Sequence, residues 1–419
     1  MNLSRWRQSK LNDITDKDRS ITYGVVKPGA LDVNGVRFIR GGDIFNGKIN
    51  IPALRTIKHE ISKQYKRTLL QGGELLISLV GNPGEVAIAP KALKGSNIAR
   101  QVGLVALKED VHPSYVMYFL MSSLGRKELF AQTTGSVQRV INLADLKNVR
   151  VPIPPLPTQR KIAGVLSAYD DLIENNSRRI AILEEMAQAI YREWFVNFRF
   201  PGHENVKLID SPLGKIPEGW EVMPFSKSAD FVNGYAFKPS DWATTGIPIV
   251  KIAELKNGIT KKTPRYSGVE LPEKYTVKTG DLLFSWSADL DAYIWPHEDG
   301  LLNQHLFTVL PFTKFTKQFL FFALLHKMPQ FRSLSIGTTM RHIKRSALDQ
   351  VSFVSPPSIL LDEFTKQTQP LIEHVIAATK KLRVLTATRD LLLPKLISGQ
   401  LDVEDLDIEI GEQPEEATT

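Results

Sequence analysis

Gly73-Glu74-Leu75-Leu76-Ile77-Ser78 returns as Gly280-Asp281-Leu282-Leu283-Phe284-Ser285, 207 positions further on. Each is a short apolar run of strand character. The return is not isolated. Gly135 matches Gly337, and Pro154-Pro155 matches Pro356-Pro357, both at an offset of 202. Earlier, Gly35, Asn46 and Gly47 match Gly246, Asn257 and Gly258 at 211. The offset shrinks in steps, as a few loop deletions in the second copy would make it. A period of about 200 residues is too long for a solenoid repeat. The 419-residue chain therefore holds two similar domains, and so two similar binding surfaces.

Around the repeated run each domain reads as strand-rich α+β. Val102–Leu107 is a further strand candidate. Asn46-Gly47 and Asn257-Gly258 read as tight hairpin turns, because both central residues of such a turn need positive φ. Pro113 to Leu124 and its counterpart Thr316 to Leu325 read as helices. Each domain ends in a proline connector, Val151-Pro-Ile-Pro-Pro-Leu-Pro157 and Val354-Ser-Pro-Pro357. Proline stiffens such a link and cannot continue a helix or a central strand.

A long helical pattern follows each connector. In the first, residues step by three and four: Leu166, Tyr169, Ile173, Asn176, Ile180, Leu183, Ala187, Ile190, Trp194. Adding 202 gives Thr368, Leu371, Val375, Ala378, Leu382, Leu385, Arg389, Leu392, Leu396. Alternating spacing over four heptads is a coiled-coil seam. The first helix, from Thr158 to Phe195, would run roughly 55 Å at 1.5 Å per residue. Asn176 is a polar seam position able to fix register. Arg389 faces Ala187 in the repeat register and is the pattern's weakest point.

Composition narrows the function classes. With no cysteine, disulfides and thiolate metal sites are excluded, which fits a cytoplasmic location. Met1 to Lys10 lacks the apolar core of a signal peptide, and Phe319 to Leu325, the most apolar run, is too short to span a bilayer, so no membrane role is expected. The net charge of +8 is uneven. Residues 1–150 carry +11 and residues 211–352 carry +4, whereas 151–210 carry −1 and 353–419 carry −6. Two basic domains alternating with neutral or acidic segments point to a polyanion, although basic charge also serves solubility.

The helical motifs resemble those of the specificity subunits of type I restriction–modification enzymes. Leu392-Leu393-Pro394-Lys395-Leu396-Ile397-Ser398-Gly399 resembles the end of the second conserved helix of that family. Pro154-Pro-Leu-Pro-Thr-Gln-Arg-Lys-Ile162, Asp170-Asp171 and Glu193-Trp-Phe-Val-Asn-Phe198 resemble the first. Pro217-Glu-Gly-Trp220 is similar to the entry of a second target-recognition domain. The resemblance implies an α+β chain of two target-recognition domains separated by two long helices that form an antiparallel coiled coil. It divides the chain into a first recognition domain, 1–150; a connector and first spacer helix, 151–210; a second recognition domain, 211–352; a second spacer helix, 353–401; and an acidic flexible tail, 402–419. It further implies that each domain reads one half of a split target in double-stranded DNA, and that the helices set the gap. Modification (methyltransferase) subunits using S-adenosylmethionine, and restriction (motor–nuclease) subunits using ATP and Mg²⁺, would be the partners. This chain would hold no cofactor and catalyse nothing.

Near misses in the sequence agree with that expectation. Gly42-Asp-Ile-Phe-Asn-Gly-Lys48 mimics a phosphate loop, but Ile49 stands where a metal-binding Ser or Thr is required. Asp241, Glu254 and Lys256 mimic a hydrolytic metal site with loose spacing. No adenine-methylation box and no paired histidines occur. The alternative, a DNA nuclease or methyltransferase with an unrecognised site, has no motif behind it.

Base readers need Arg, Lys, Asn or Gln near base edges, with basic or hydroxyl groups on phosphates. The repeat indicates where they lie. Arg40 pairs with Lys251, each after a strand-like run. Arg100-Gln101 pairs with Asn303-Gln304, followed by His305. Ser136 and Arg139 pair with Thr338 and Arg341, with Lys344 close behind. Tyr23 and Lys27 match Tyr235 and Lys238 in character, though not in offset. Any one of these side chains could equally be a solvated charge or a local cap.

Overall fold

The computed structural model describes residues 6–131, 140–337 and 341–408. The repeated runs are strands Leu75–Ser78 and Leu282–Ser285, and all four residues of each are buried. Burial on both faces is why they read as continuous apolar runs rather than alternating ones. The chain divides into two compact units: residues 1–173 with 385–419, and residues 174–384.

In the first unit Leu75–Ser78 lies inside an antiparallel sheet, between Val102–Val105 and Val86–Ile88, with Thr22–Tyr23 on the outer edge of Val102–Val105. A second sheet holds Val36–Ile39 between Arg55–Ile57 and Asn97–Ile98, and Val36–Ile39 runs parallel to Asn97–Ile98. The second unit repeats this plan. Leu282–Ser285 lies between Leu306–Pro311 and Asp291–Ile294, with Ala229–Asn233 beyond. Its second sheet again holds a parallel pair, Ile247–Val250 with Gly300–Leu302.

Local readings need three corrections. Asn46 and Gly47 both have positive φ and turn the hairpin Ile44–Phe45 to Lys48–Ile49. Asn257 instead ends the helix Ile252–Asn257, and Gly258 is its C-cap at φ +68. The same dipeptide serves a helix end because left-handed glycine suits both. The helix expected from Pro113 stops at Met121, and Ser122 caps a second helix, Ser123–Phe130. The proline connectors also begin as edge strands. Arg150–Ile153 pairs with Arg7–Lys10, and Ser352–Ser355 with Glu221–Pro224, so Pro152 sits in a two-stranded edge pair where a missing N–H is tolerated.

The spacer helices are Leu156–Tyr191 and Ser358–Ile397, of 36 and 40 residues. From 171 to 186 every residue is exposed except Ile173, Asn176, Ile180 and Leu183, which are the seam positions read from the sequence. The remaining seam residues of the first helix, Leu166, Tyr169, Ala187, Ile190 and Trp194, are also buried or half-buried. So are Leu371, Val375, Leu382, Leu385 and Leu392 on the second. Pairing is antiparallel. In the first unit Leu166, near the start of one helix, shares a core with Leu396 and Ile397 at the end of the other. In the second unit Tyr191 and Phe195 pack on Phe364, with ring centroids 6.2 and 5.0 Å apart.

Antiparallel pairing gives Arg389 a different neighbour from the Ala187 of the repeat register. Its Nη1 donates to Asp170 Oδ1 at 2.7 Å, and Tyr118 Oη donates to Asp170 Oδ2 at 2.6 Å. Burial, then the Asp170 charge, push the Tyr118 hydroxyl far above its ordinary pKa, which keeps it a donor. Of the stretch read as an acidic tail, Val403 is buried in the first unit's core, and Lys161 Nζ donates to the carbonyls of Glu404 and Leu406 at 2.7 and 2.8 Å.

Candidate nucleic-acid interface

The parallel strand pairs position the candidate readers. In the first unit the pair ends at Ile39 and Ile98, and the chain leaves as Arg40 and as Ala99-Arg100-Gln101. Ala99 N–H donates to the Ile39 carbonyl at 2.8 Å, Val25 N–H to Ile98 at 2.8 Å, and Arg100 N–H to Val25 at 2.9 Å. Leu79 N–H donates to Gln101 at 2.7 Å, and Ile141 N–H to Leu79 at 3.0 Å.

The second unit repeats these five bonds. Asn303 donates to Val250 at 3.0 Å, Tyr235 to Leu302 at 2.7 Å, and Gln304 to Tyr235 at 3.0 Å. Trp286 donates to His305 at 3.4 Å, and Ile343 to Trp286 at 3.0 Å. The backbone frame is therefore the same, and it defines which residues correspond. Arg40 does match Lys251. Arg100 matches Gln304 and Gln101 matches His305, one residue away from the sequence pairing. Tyr235 stands where the first unit has Val25, so Tyr23 is not the counterpart of Tyr235, nor Lys27 of Lys238. The frame also requires glycine at one place. A Cβ on Gly24 would lie 1.8 Å from the Ile98 carbonyl oxygen, and one on Gly234 would lie 2.3 Å from those of Leu302 and Asn303.

On this frame the first unit gathers Tyr23, Lys27, Arg40, Arg100 and Gln101. Tyr23, Lys27 and Arg100 are exposed, and Arg40 and Gln101 are half-buried. Arg40 is clamped by Asp43. Its Nε and Nη2 donate to the two carboxylate oxygens at 3.0 and 2.7 Å, and its backbone N–H donates to Oδ2 at 2.8 Å. The hydrogen bond to Asp43 raises the Arg40 pKa above its ordinary value. The second unit gathers Tyr235, Lys251, Gln304, His305 and Arg341. Lys251 Nζ sits over the exposed Trp242 ring, 5.2 Å from its centroid. The Arg341 carbonyl accepts from Ala288 N–H at 2.7 Å, which ties the Arg341 segment to the loop after Leu282–Ser285. Lys238 and Lys344 are exposed nearby in sequence but make none of the frame bonds. Ser136, Arg139 and Thr338 lie outside the described residues.

Sequence reasoning missed Trp286. Its ring packs on His305 and His342, with centroids 5.7 and 6.4 Å apart, and its buried Nε1 has no hydrogen-bond partner among the described residues. The available signal was its place directly after the repeated strand, where the first copy has Leu79.

The enzyme-like carboxylates are occupied as caps. Asp241 accepts from Lys238 N–H at 2.7 Å, and Glu254 from Lys251 N–H at 3.1 Å. Lys256 pairs with Asp289. Among the described residues no group of three or more acids or histidines could hold a metal ion. No helix among them is long and apolar enough to cross a membrane.

Two equivalent frames, each carrying cationic and amide side chains and joined through a helical spacer, define a duplicated recognition protein. Comparison with known proteins makes this specific. The type I restriction modification DNA specificity domain matches residues 4–185 and 217–360, and the chain belongs to that family. It is 28% identical over 362 residues to the type I restriction enzyme MjaIX specificity subunit of Methanocaldococcus jannaschii, covering 84% of this chain and 83% of that one. It is 21% identical to the HindI specificity subunit of Haemophilus influenzae, covering 95% and 100% of the two chains. The crystal structure of a type I restriction-modification S subunit from M. genitalium shares the fold, with a TM-score of 0.60 at 15% identity over 94% of this chain and 98% of that one.

Proposed function

We propose that this chain is the DNA specificity subunit of a type I restriction–modification complex. Each unit reads one half of a bipartite target in double-stranded DNA, and the paired helices hold the two readers at the distance that sets the unspecified gap. The observation that carries this reading is the repeated five-bond frame. It presents different side chains at equivalent positions: Arg40, Arg100 and Gln101 in one unit, and Lys251, Gln304 and His305 in the other. One scaffold with two sets of donors and acceptors is what two different half-sites require, since base edges are distinguished by their donor and acceptor patterns.

The chain itself is non-catalytic in this proposal. The carboxylates of the nuclease-like pattern, Asp241 and Glu254, accept capping backbone N–H groups. Methylation with S-adenosylmethionine belongs to modification subunits, and ATP- and Mg²⁺-dependent translocation and cleavage belong to restriction subunits. The charged outer faces of the spacer helices, including Arg178-Arg179 and Glu184-Glu185, serve for docking those partners rather than DNA. The experiment is methylome sequencing of cells carrying the complete system, with this chain present and deleted. A bipartite methylated motif should vanish on deletion and return on complementation. In addition, the purified chain supplied with S-adenosylmethionine, ATP and Mg²⁺ should neither methylate nor cut DNA. A motif that persists without the chain, or turnover by the chain alone, contradicts the proposal.

A further inference from the structure

We infer that Arg40, clamped by Asp43, reads a guanine in the half-site bound by the first unit. This rests on the specificity reading above and names the base that one reader takes.

The geometry of the clamp carries the inference. Asp43 is 4% exposed and Arg40 is 35% exposed, so the exposed part of the pair belongs to Arg40. Asp43 occupies Nε and one hydrogen of Nη2. What Asp43 does not engage is the other edge of the guanidinium, with both hydrogens of Nη1 and the second of Nη2. That edge offers two parallel N–H groups. In the major groove, guanine alone presents two adjacent acceptors, O6 and N7, which match a bidentate arginine.

Two further considerations favour a base over a phosphate. The first is charge. Arg40 and Asp43 together are neutral, so the pair gains little from the phosphate field that dominates non-specific binding. A neutralised but directional fork keeps its value only where hydrogen-bond geometry decides. The second is rigidity. A long side chain held by two bonds to a buried carboxylate loses less freedom on binding than a free one. The surroundings fit as well. A Cβ on Gly41, next to Arg40, would lie 3.6 Å from Gln101 Cβ and 2.9 Å from the Val80 carbonyl, so the backbone beside Arg40 lies against Gln101. At the equivalent place in the second unit, Lys251 lies over Trp242. A point charge on a flexible stem does not reproduce the fork. The two half-sites should therefore differ at this position.

The test is methylation mapping of the intact complex carrying Arg40→Gln, Arg40→Lys or Asp43→Asn, together with DNA binding at several salt concentrations. Arg40→Gln and Arg40→Lys should each lower the preference for guanine at one position by about 5- to 150-fold, the value of one bidentate contact. The other half-site should be unchanged. Asp43→Asn keeps a capping oxygen but releases the fork. It should relax the same position while non-specific binding holds or strengthens, because a positive charge is unmasked. A purely structural role for Asp43 would instead weaken all binding together, in parallel with the melting temperature. If the motif of Arg40→Lys is unchanged, Arg40 reads no base. Uniform loss over all sequences with a smaller salt slope would make it a phosphate contact. Either result overturns the inference while leaving the specificity reading intact. A wild-type complex that marks no bipartite motif would overturn the specificity reading itself.

Discussion

Replacing Arg389 by methionine tests how the spacer helices fix their register. In the intact protein Asp170 accepts from Arg389 at 2.7 Å and from Tyr118 at 2.6 Å, and the Asp170 and Arg389 side chains are 23% and 26% exposed. Removing the cation leaves a carboxylate that is three-quarters buried with one donor. Breaking a fully buried pair costs roughly 3–5 kcal/mol, and exposed pairs are worth at most about 1 kcal/mol. With a quarter of each side chain exposed, the expected loss is about 2 kcal/mol. For a unit of some 200 residues that lowers Tm by roughly 4–8 °C. Replacing both Asp170 and Arg389 by apolar residues removes the unpaired charge, so the double variant should recover most of the loss. The assay is calorimetry of wild type, both single variants and the double. The double-mutant coupling should be at least about 1 kcal/mol. A coupling below about 0.3 kcal/mol, the level of independent sites, would refute the idea that this pair holds the register.

Two other outcomes are expected. Inserting four residues within 180–190 adds about 6 Å of helix and should widen the gap of the methylated motif by one or two base pairs, with both half-sites kept and some stability lost, because four residues do not complete a heptad; an active variant with the original gap would show that the helices do not set the spacing. Burial, then the Arg383 charge, lower the His297 pKa to about 4, so below pH 6.5 the unfolded chain binds a proton that the native state refuses, and stability is full above pH 6.5 and falls as pH drops; between pH 6.5 and 5 the loss is about 1.5 kcal/mol, it should disappear in His297→Gln, and an equal slope in both proteins would exclude His297 as the source.

Much of this architecture was legible in the sequence because it is periodic. The duplication and the three–four seam are patterns, and from 171 to 186 burial falls on the seam residues read from spacing alone. What escaped was set by tertiary pairing. Arg389 looked anomalous because the repeat register placed it against Ala187, whereas antiparallel helices bring it to Asp170. The candidate pairing of Arg100 and Gln101 with the second unit was off by one residue after the strand Leu282–Ser285. A deletion between two matched motifs leaves no mark that tells where it falls, and only the backbone bonds fixed Arg100 to Gln304. The Arg40–Asp43 clamp was invisible because an i,i+3 pair in a glycine-rich turn has no helix to give the spacing meaning. Asn257-Gly258 misled because one dipeptide suits both a hairpin and a helix end.

The central claim is that each unit reads its own half of the target. Its most direct test is to replace residues 1–150 with the matching segment of a relative of different specificity, then map methylation in cells carrying the complete system. One half of the bipartite motif should change to the donor's half, with the other half and the gap retained. A change in both halves, or no change in either, would contradict it.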